Sequence, residues 1–250
     1  MKYLRLGKVI AKLKYFENCI FLLVITVANF WFWQIFSNNF ILGVILLVIE
    51  LGLFILITKK DLKRSYTLAL YIFILFLLVF DTILLKSDFD NTLLTTSSTE
   101  ISILNERHGY LAEGLGNIFT NKYVQHYYKD YSLATGKYLR NIFYTLDPNL
   151  YFFRSHPREK AGIDEYEKYS PFVLPFFVIG ILFTIIYYRK YKSLIIYSIF
   201  ATFLTGFISP SYKLGPILMF PFINIILYLG FITSIQKIKL LFKIWSQKKF

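Results

Sequence analysis

The sequence is poor in acidic residues and has almost no cysteine. It contains 15 Asp and Glu residues against 28 Lys and Arg residues, and Cys19 is its single cysteine. One cysteine cannot form an internal disulfide. The positive charge would suit nucleic acid, but Lys and Arg gather at the ends of apolar runs. Clusters of that kind set membrane topology and contact anionic lipid head groups, so we do not expect nucleic-acid binding.

Several motifs that define enzyme classes are missing as well. The sequence has no HExxH pair and no cysteine pair, so it predicts no metal site. It has neither a GxSxG nucleophile turn nor a glycine-rich phosphate loop. We interpret the three isolated histidines, His108, His126 and His156, as surface or structural residues. The sequence therefore predicts no metal and no other cofactor.

Long apolar runs dominate the rest of the sequence. Hydrophobic residues make up 56% of the 250 residues, aromatic residues 20%, and the mean hydropathy is +0.52. A soluble domain needs more polar surface than this, so the predicted fold class is all-α integral membrane. About six transmembrane helices are expected, with an α-rich extracytoplasmic segment between the third and the fourth. The predicted spans are Cys19–Phe36, Phe40–Thr58, Tyr66–Leu85, Pro171–Tyr188, Ser193–Ile208 and Leu214–Ile235.

These spans divide the chain into three parts. Residues 1–86 hold a basic amino-terminal interfacial helix, Met1–Glu17, and spans one to three. Residues 87–170 form the extracytoplasmic segment. Residues 171–250 hold spans four to six and a basic tail.

The short loops predict the orientation. The amino terminus, Lys59–Arg64, Arg189–Lys192 and the carboxyl tail are basic, whereas Ser37–Asn39 has no charge. Because loops rich in Lys and Arg stay in the cytoplasm, we expect a multi-pass protein of the cell membrane with both termini cytoplasmic.

The outer segment is predicted to be partly helical. Asn121–Tyr144 has the pattern of a helix, and Asp147–Asn149 is a turn signal. Gly109, Gly114 and Gly116 interrupt the earlier portion, for which we expect loop and short helix.

Two acidic residues fall inside predicted spans. Glu50 lies near the middle of the second span and Asp81 near the outer end of the third. A charge at mid-bilayer costs about 2.5–3.5 kcal/mol on insertion scales, so such a residue marks a partner or a polar pathway. The alternative for Glu50 is a protonated or hydrogen-bonded side chain packed between helices. Asp81 is predicted to reach water at the interface.

The densest polar cluster, Arg154–Glu159, lies directly before the fourth span. Its arginines could bind a lipid-linked phosphate, because a guanidinium group matches phosphate oxygens in a bidentate way. They could also bind ordinary lipid phosphates or pair with nearby carboxylates. The candidate polar or phosphate-binding residues of the outer segment are Arg107, His108, Lys122, Asp147, Arg154, His156, Arg158 and Glu159.

Several phrases of the outer segment resemble one group of bacterial membrane glycosyltransferases. They are similar to the carboxyl-terminal half of multi-spanning enzymes related to dolichyl-phosphate-mannose protein mannosyltransferases (GT-C type). The resemblance covers roughly residues 88–235. The resemblance rests on five sequence motifs: Asn105–His108, Ile118–Lys122, Tyr138–Asn141, Leu146–Phe153 and the span that begins Leu174–Ile181.

The resemblance implies transfer of a sugar from a polyprenyl-phosphate donor to an extracytoplasmic acceptor. Such enzymes carry their catalytic acidic residues in the first outer loop of a chain about twice this length. Here the first outer loop is Ser37–Asn39, which has no carboxylate, so no residue inherits the role of general base. We therefore expect either the distal piece of a split enzyme, with a second membrane subunit carrying the missing half, or a subunit or degenerate relative without catalysis of its own.

Two other function classes stay open. One is a non-catalytic membrane scaffold or subunit of a cell-envelope complex. The other is a small transporter, which would need Glu50 to line a water-accessible path. The spans show no broken pair of helices in corresponding halves, which argues against the transporter.

Overall fold

The computed structural model describes residues 16–59, 63–116, 121–153, 168–210 and 212–247, and within them every regular element is a helix. The predicted interfacial helix Met1–Glu17 lies outside this part except for its last two residues. The helices are α1 (Phe16–Val27), α2 (Phe30–Asn38), α3 (Phe40–Thr58), α4 (Arg64–Leu84), α5 (Ser98–Leu115), α6 (Lys122–His126), α7 (Ser132–Thr145), α8 (Asn149–Phe152), α9 (Leu174–Ile186), α10 (Tyr188–Thr205) and α11 (Phe220–Gln247).

Three of the described helices are long and apolar enough to cross a membrane. They are α3, α4 and the stretch Ile217–Leu240 that contains most of α11. Two further pairs of helices meet this criterion only together, each with a sharp bend between its members. The described chain thus has three spans of sufficient length, or up to five if each bent pair counts as one.

The first bent pair lies where one straight span, Cys19–Phe36, was predicted. Helices α1 and α2 meet at 71° around Ala28 and Asn29. The side-chain oxygen of Asn29 accepts a hydrogen bond from the backbone N–H of Trp31 at 2.9 Å, which starts a new helix. An Asn side chain that caps a helix in this way offers the backbone an alternative to continuing the preceding one.

The second bent pair lies where spans four and five were predicted. The helices α9, with the short turn Pro171–Val173 before it, and α10 meet at 116°. The basic residues Arg189 and Lys190 lie in the first turn of α10 and not in a separate loop. The expectation of an unbroken span is therefore wrong for Cys19–Phe36, whereas α9 and α10 bend between the two spans that were predicted there.

The first helix of the outer segment is longer than expected. Helix α5 runs through Gly109 and Gly114 and ends at Leu115. Its start is well defined, because the Ser97 hydroxyl accepts from the N–H of Glu100 and the Glu100 carboxylate accepts from the N–H of Ser97. Helices α6 and α7, joined by one π-helical turn, cover Lys122–Thr145 and agree with the predicted helix.

The segment that was predicted to lie outside the membrane is attached to the end of α10 by hydrogen bonds. The amide Nδ2 of Asn141 donates to the Asp90 carboxylate at 3.0 Å and lies 3.2 Å from the Gly206 carbonyl oxygen. The N–H of Asp90 donates to the carbonyl of Phe207 at 2.9 Å. The Tyr138 hydroxyl donates to the carbonyl of Phe203 at 2.8 Å. These contacts place α7 directly over α10.

A buried lysine joins α7 to the start of α5. The ammonium group of Lys137 donates to the carbonyls of Thr92 and Thr95 at 2.7 and 2.9 Å and to Glu100 at 3.0 Å. An ammonium group has three N–H donors, so these three acceptors satisfy it completely. Lys137 therefore has a structural role.

Helices α9 and α11 are in direct backbone contact. A Cβ atom at Gly180 would overlap the carbonyl oxygen of Ile226, and one at Gly230 would overlap the carbonyl oxygen of Phe176. Small residues allow such an approach between apolar helices, where van der Waals packing holds the pair together. The two glycines thus set the distance between α9 and α11.

We predict that Asp90→Asn makes stability less sensitive to acid. Burial alone would raise the pKa of Asp90, but hydrogen bonds from Asn141 and Thr92 and the charge of Arg140 hold that pKa below its ordinary value. A carboxylate of this kind stabilises the fold above its unfolded pKa of about 4, and the stabilisation is lost as pH falls through the lower folded value. Unfolding in detergent should show a loss of about 1–2 kcal/mol at pH near 7 and a smaller loss at pH near 3. An equal loss at both pH values would contradict this role.

We predict that Gly230→Ala separates α9 from α11 and destabilises the protein by about 2–3 kcal/mol, because a methyl group has no room there. The matched control is Gly136→Ala in α7, where a Cβ atom would have open space around it. That change should be neutral or stabilise by up to about 1 kcal/mol, since Ala is the better helix former. Thermal unfolding of both variants gives the comparison; similar midpoints would show that the contact tolerates a methyl group.

Candidate functional site

A hydrogen-bonded carboxyl group lies in the apolar interior. Glu50 of α3 is 2% exposed, and its two partners, Thr26 of α1 and Asn224 of α11, are fully buried. The Thr26 hydroxyl lies 2.5 Å from one carboxyl oxygen of Glu50, and the Asn224 amide donates to the other at 3.1 Å. Three helices that are otherwise apolar at this level are thereby joined by polar contacts.

The two contacts of the Thr26 hydroxyl indicate whether the Glu50 carboxyl group is protonated. The Thr26 hydroxyl lies 3.0 Å from the carbonyl oxygen of Leu22, which can only accept a hydrogen bond. A hydroxyl has one hydrogen, so it cannot donate both to Leu22 and to Glu50. Both contacts are satisfied when the Glu50 carboxyl carries a proton and donates it to Thr26.

The cluster extends to Tyr169, in the segment before α9. The Tyr169 hydroxyl donates to the side-chain oxygen of Asn224 at 2.8 Å. Tyr169 is also one of the residues that line a cavity of about 720 Å³ beside the bend between α1 and α2. A continuous set of hydrogen bonds therefore runs from Glu50 through Asn224 to the cavity wall.

The cavity lies between α1, α11 and residues 168–173. It is open to the surroundings, because two of its lining residues, Val24 and Phe30, are 55% and 62% exposed. Its apolar wall includes Val24, Ile25, Leu227 and Phe231, and its polar lining consists of Asn29, Lys168, Tyr169 and Ser170.

The polar side chains of the lining gather toward one end of the cavity, beside Phe30 and Val173, while the other end is lined by apolar side chains alone. Helices α1 and α11 run antiparallel, since Phe21 contacts Phe231 while Thr26 contacts Asn224. Asn29 lies three residues after Thr26, in the bend that follows α1. Phe231 lies seven residues from Asn224 in the other direction, or about 10 Å along the helix. The cavity is therefore amphipathic along the helix axis.

Trp31 supports the polar end. Its ring is fully buried and makes edge contacts with Phe220 and Tyr169 at centroid distances of 5.4 and 5.8 Å. Its indole N–H donates to the carbonyl of Leu214 at 2.8 Å. A Trp that is buried on all sides and has its N–H satisfied is a rigid anchor, so the start of α2 is fixed relative to the start of α11.

Lys168 brings a positive charge to the same end. It is 5% exposed, and its ammonium group donates to the carbonyl of Leu150 at 3.0 Å and lies 6.0 Å from the centre of the Trp31 ring. Its side chain crosses Gly215, which has a φ of +67° and where a Cβ atom would come within 2.6 Å of the lysine Cε. Glycine at this turn thus makes room for the lysine.

Asn29 has an unused donor at the polar end. The residue is 8% exposed, and its side-chain oxygen caps α2. Its amide nitrogen Nδ2 lies near the Tyr169 hydroxyl but makes no well-formed hydrogen bond within the described residues. A buried N–H without a partner is costly, so this amide is suited to an acceptor atom in the cavity.

The two acidic residues of the predicted spans have different surroundings. Glu50 is packed between helices with hydrogen bonds, as one of the two alternatives expected. Asp81 was expected to reach water but is fully buried, and both of its carboxyl oxygens lack hydrogen-bond partners among the described residues. Helix α10 and the segment Ile217–Met219 pack against α4 and contribute to the burial of this end of the bundle.

The other predicted site residues do not meet at the cavity. Arg107 and Lys122 are exposed, His108 packs near Tyr128, and the Asp147 carboxylate accepts from the N–H of Asn149 at the start of α8. None of the four lines the cavity. The remaining candidates, Arg154, His156, Arg158 and Glu159, lie outside the described residues.

Reasoning from the sequence missed the residues that form the cavity's polar end and the cluster behind it. Asn29 and Asn224 are each an isolated amide residue in an apolar run. An isolated polar residue of this kind was the feature of the sequence that could have identified them. Lys168 follows a dense group of charges and was not distinguishable from them by pattern. Tyr169 is one of 20 tyrosines.

Comparison with known proteins identifies no relative. No protein-family model matches the chain, and no significant similarity to a curated protein or to a solved structure was found.

We predict that Thr26→Val destabilises the protein more than Thr184→Val, by about 1–2 kcal/mol. Both threonines are buried, and both hydroxyls lie within 3.0 Å of the carbonyl oxygen four residues earlier, but only Thr26 also contacts Glu50. Valine keeps the shape and removes the hydroxyl, so the difference measures the contacts of that hydroxyl with Glu50 and Asn224. Unfolding in detergent measures it; equal losses would mean that Glu50 does not depend on Thr26.

Proposed function

We propose that this chain is a multi-pass membrane protein that binds a lipid with a phosphorylated head group in the amphipathic cavity. We further propose that it serves a glycosyltransferase system that uses a polyprenyl-phosphate sugar. The observation that carries the proposal is the arrangement of the cavity, with Lys168 and the unpaired amide of Asn29 at one end and an apolar wall at the other.

The polar end suits an anion. Lys168 contributes a positive charge, and ammonium groups bind phosphate through charge-assisted hydrogen bonds. Asn29 contributes an N–H donor, and the start of α2 adds the partial positive charge of a helix N-terminus. Both donors are buried or nearly so, which strengthens their attraction to an anion.

The opposite end suits a hydrocarbon chain. Val24, Ile25, Leu227 and Phe231 present only apolar side chains, and the cavity is open beside the exposed side of α1. Burying an apolar chain against such a wall contributes about 0.8 kcal/mol per methylene group relative to water. An amphiphile therefore fits better than a free phosphate.

The lining supports a role in binding rather than in acid–base chemistry. Among the described residues that line the cavity, none is Asp or Glu. A glycosyl transfer needs a base for the acceptor hydroxyl, so that group would come from a second membrane subunit or from another part of the chain. The chain would then hold the lipid-linked donor, with both termini cytoplasmic and the polar end of the cavity toward the outer leaflet.

Binding of undecaprenyl phosphate in nanodiscs of neutral lipid tests the proposal, with undecaprenol as the uncharged comparison. We expect the phosphate to bind more tightly than the alcohol. Lys168→Met should weaken binding of the phosphate by about tenfold or more, because it removes a charge-assisted contact. Ala28→Trp should weaken binding of both compounds, because Ala28 lines the cavity and the indole would fill it.

Two matched control variants show whether the changes in binding come from the cavity itself or from any loss of a lysine or gain of an indole. Lys86→Met removes an exposed charge outside the cavity, and Ala69→Trp adds an indole to the exposed side of α4. Both should bind like the unchanged protein. Equal binding of phosphate and alcohol, or unchanged binding by Lys168→Met and Ala28→Trp, would overturn the proposal and favour a non-catalytic scaffold of the cell envelope.

A further inference from the structure

We propose that Glu50, Thr26, Asn224 and Tyr169 form a site for an exchangeable monovalent cation, a proton or Na⁺, which reaches Glu50 through the cavity. This site lies behind the polar end of the cavity and shares Tyr169 with it. The inference stands whether or not the cavity binds a lipid phosphate.

The need for a cation follows from the burial of Glu50. The carboxyl group is 2% exposed, and within the described residues no Lys, Arg or His pairs with it. A buried carboxylate without a counter-charge is strongly unfavourable, so the group must carry a proton or bind a cation. The short contact with Thr26, whose hydroxyl also faces the Leu22 carbonyl, is the arrangement of the protonated form.

The atoms around Glu50 also suit a small hard cation. The Thr26 hydroxyl supplies one oxygen ligand beside the carboxyl group, and the side-chain oxygen of Asn224 supplies a second if its amide group turns over. The Tyr169 hydroxyl lies behind Asn224, between this site and the cavity. Helix α1 ends one residue after Thr26, at the 71° bend. Broken spans that carry an acidic or polar cluster at the break are the usual place for a coupling ion in membrane proteins.

Access to the site is through the cavity. Val24 and Ile25 on α1 line the cavity immediately before Thr26, and Tyr169 belongs both to the cavity wall and to the cluster. Lys168 is the cation among the described residues of that wall. On the helices packed against α3, the buried titratable side chains of the described part are Asp81, Tyr191, Tyr197 and Tyr228, none of which is a cation.

Labelling with dicyclohexylcarbodiimide tests the site, because this apolar reagent attacks protonated carboxyl groups in apolar surroundings. The intact protein in liposomes is labelled over a range of pH and of Na⁺ concentration, with choline holding the ionic strength constant. Peptide mass spectrometry then gives the labelling rate at Glu50. Asp81 serves as the internal comparison, and Glu50→Gln identifies the adduct.

We expect Glu50 to be labelled, and more slowly in Ala28→Trp than in Ala69→Trp. If the cation is a proton, the rate should fall about tenfold per pH unit once the carboxyl deprotonates, without an effect of Na⁺. If the site also takes Na⁺, added Na⁺ should slow labelling at constant pH. A rate that responds to neither would overturn the proposal.

An infrared measurement tests the same site if dicyclohexylcarbodiimide cannot reach Glu50. The carbonyl stretch of a protonated Glu50 is the band that Glu50→Gln removes, and it should shift when H₂O is exchanged for D₂O. Its absence at every pH and Na⁺ concentration, or the lack of any shift after long exchange, would show that no exchangeable proton is present and would likewise overturn the proposal.

Discussion

The hydrogen bonds of the Glu50 carboxyl to Thr26 and Asn224 are the interaction on which the rest of the arrangement depends. Helices α1, α3 and α11 are apolar around this level, and apolar surfaces alone do not fix how far one helix slides along another. A polar cluster fixes the position of one helix along another, because sliding either helix would leave a buried donor or acceptor without a partner. The position of Asn224 then places Tyr169, and the close contact of α11 with α9 places the second bent pair.

The cavity is a consequence of the same cluster and of the bend that follows it. Helix α1 ends just after Thr26, and the residues of the bend that follows line the cavity. Trp31 and its aromatic neighbours hold the new helix in place, and Lys168 lies across the turn at Gly215. One end of the space thereby receives a positive charge and an unpaired amide, while the other keeps the apolar faces of α1 and α11. We therefore propose an amphiphilic anion as the ligand of this arrangement.

Composition and apolar periodicity predicted the helical fold and the positions of α3, α4 and most of α11, because a long uncharged run permits little else. The bends were not predicted, because each depends on a local interaction that ends a helix, such as the cap formed by Asn29. A hydropathy average over many residues does not detect a single interaction of this kind. Glu50 was recognisable as an acid in an apolar run, but its partners come from positions 24 and 174 residues distant. Lys168 was hidden among the charges that precede it in the sequence, and only the structure places it at the cavity.

Photo-crosslinking with a polyprenyl phosphate that carries a diazirine on its hydrocarbon chain tests the central claim most directly. We expect adducts on the apolar wall of the cavity, at Val24, Ile25, Leu227 or Phe231, with competition by unlabelled polyprenyl phosphate. A second probe with the diazirine beside the phosphate should label the polar end, around Asn29 and Ser170. Adducts confined to the exposed sides of α4 and α10, or no competition by unlabelled lipid, would contradict it.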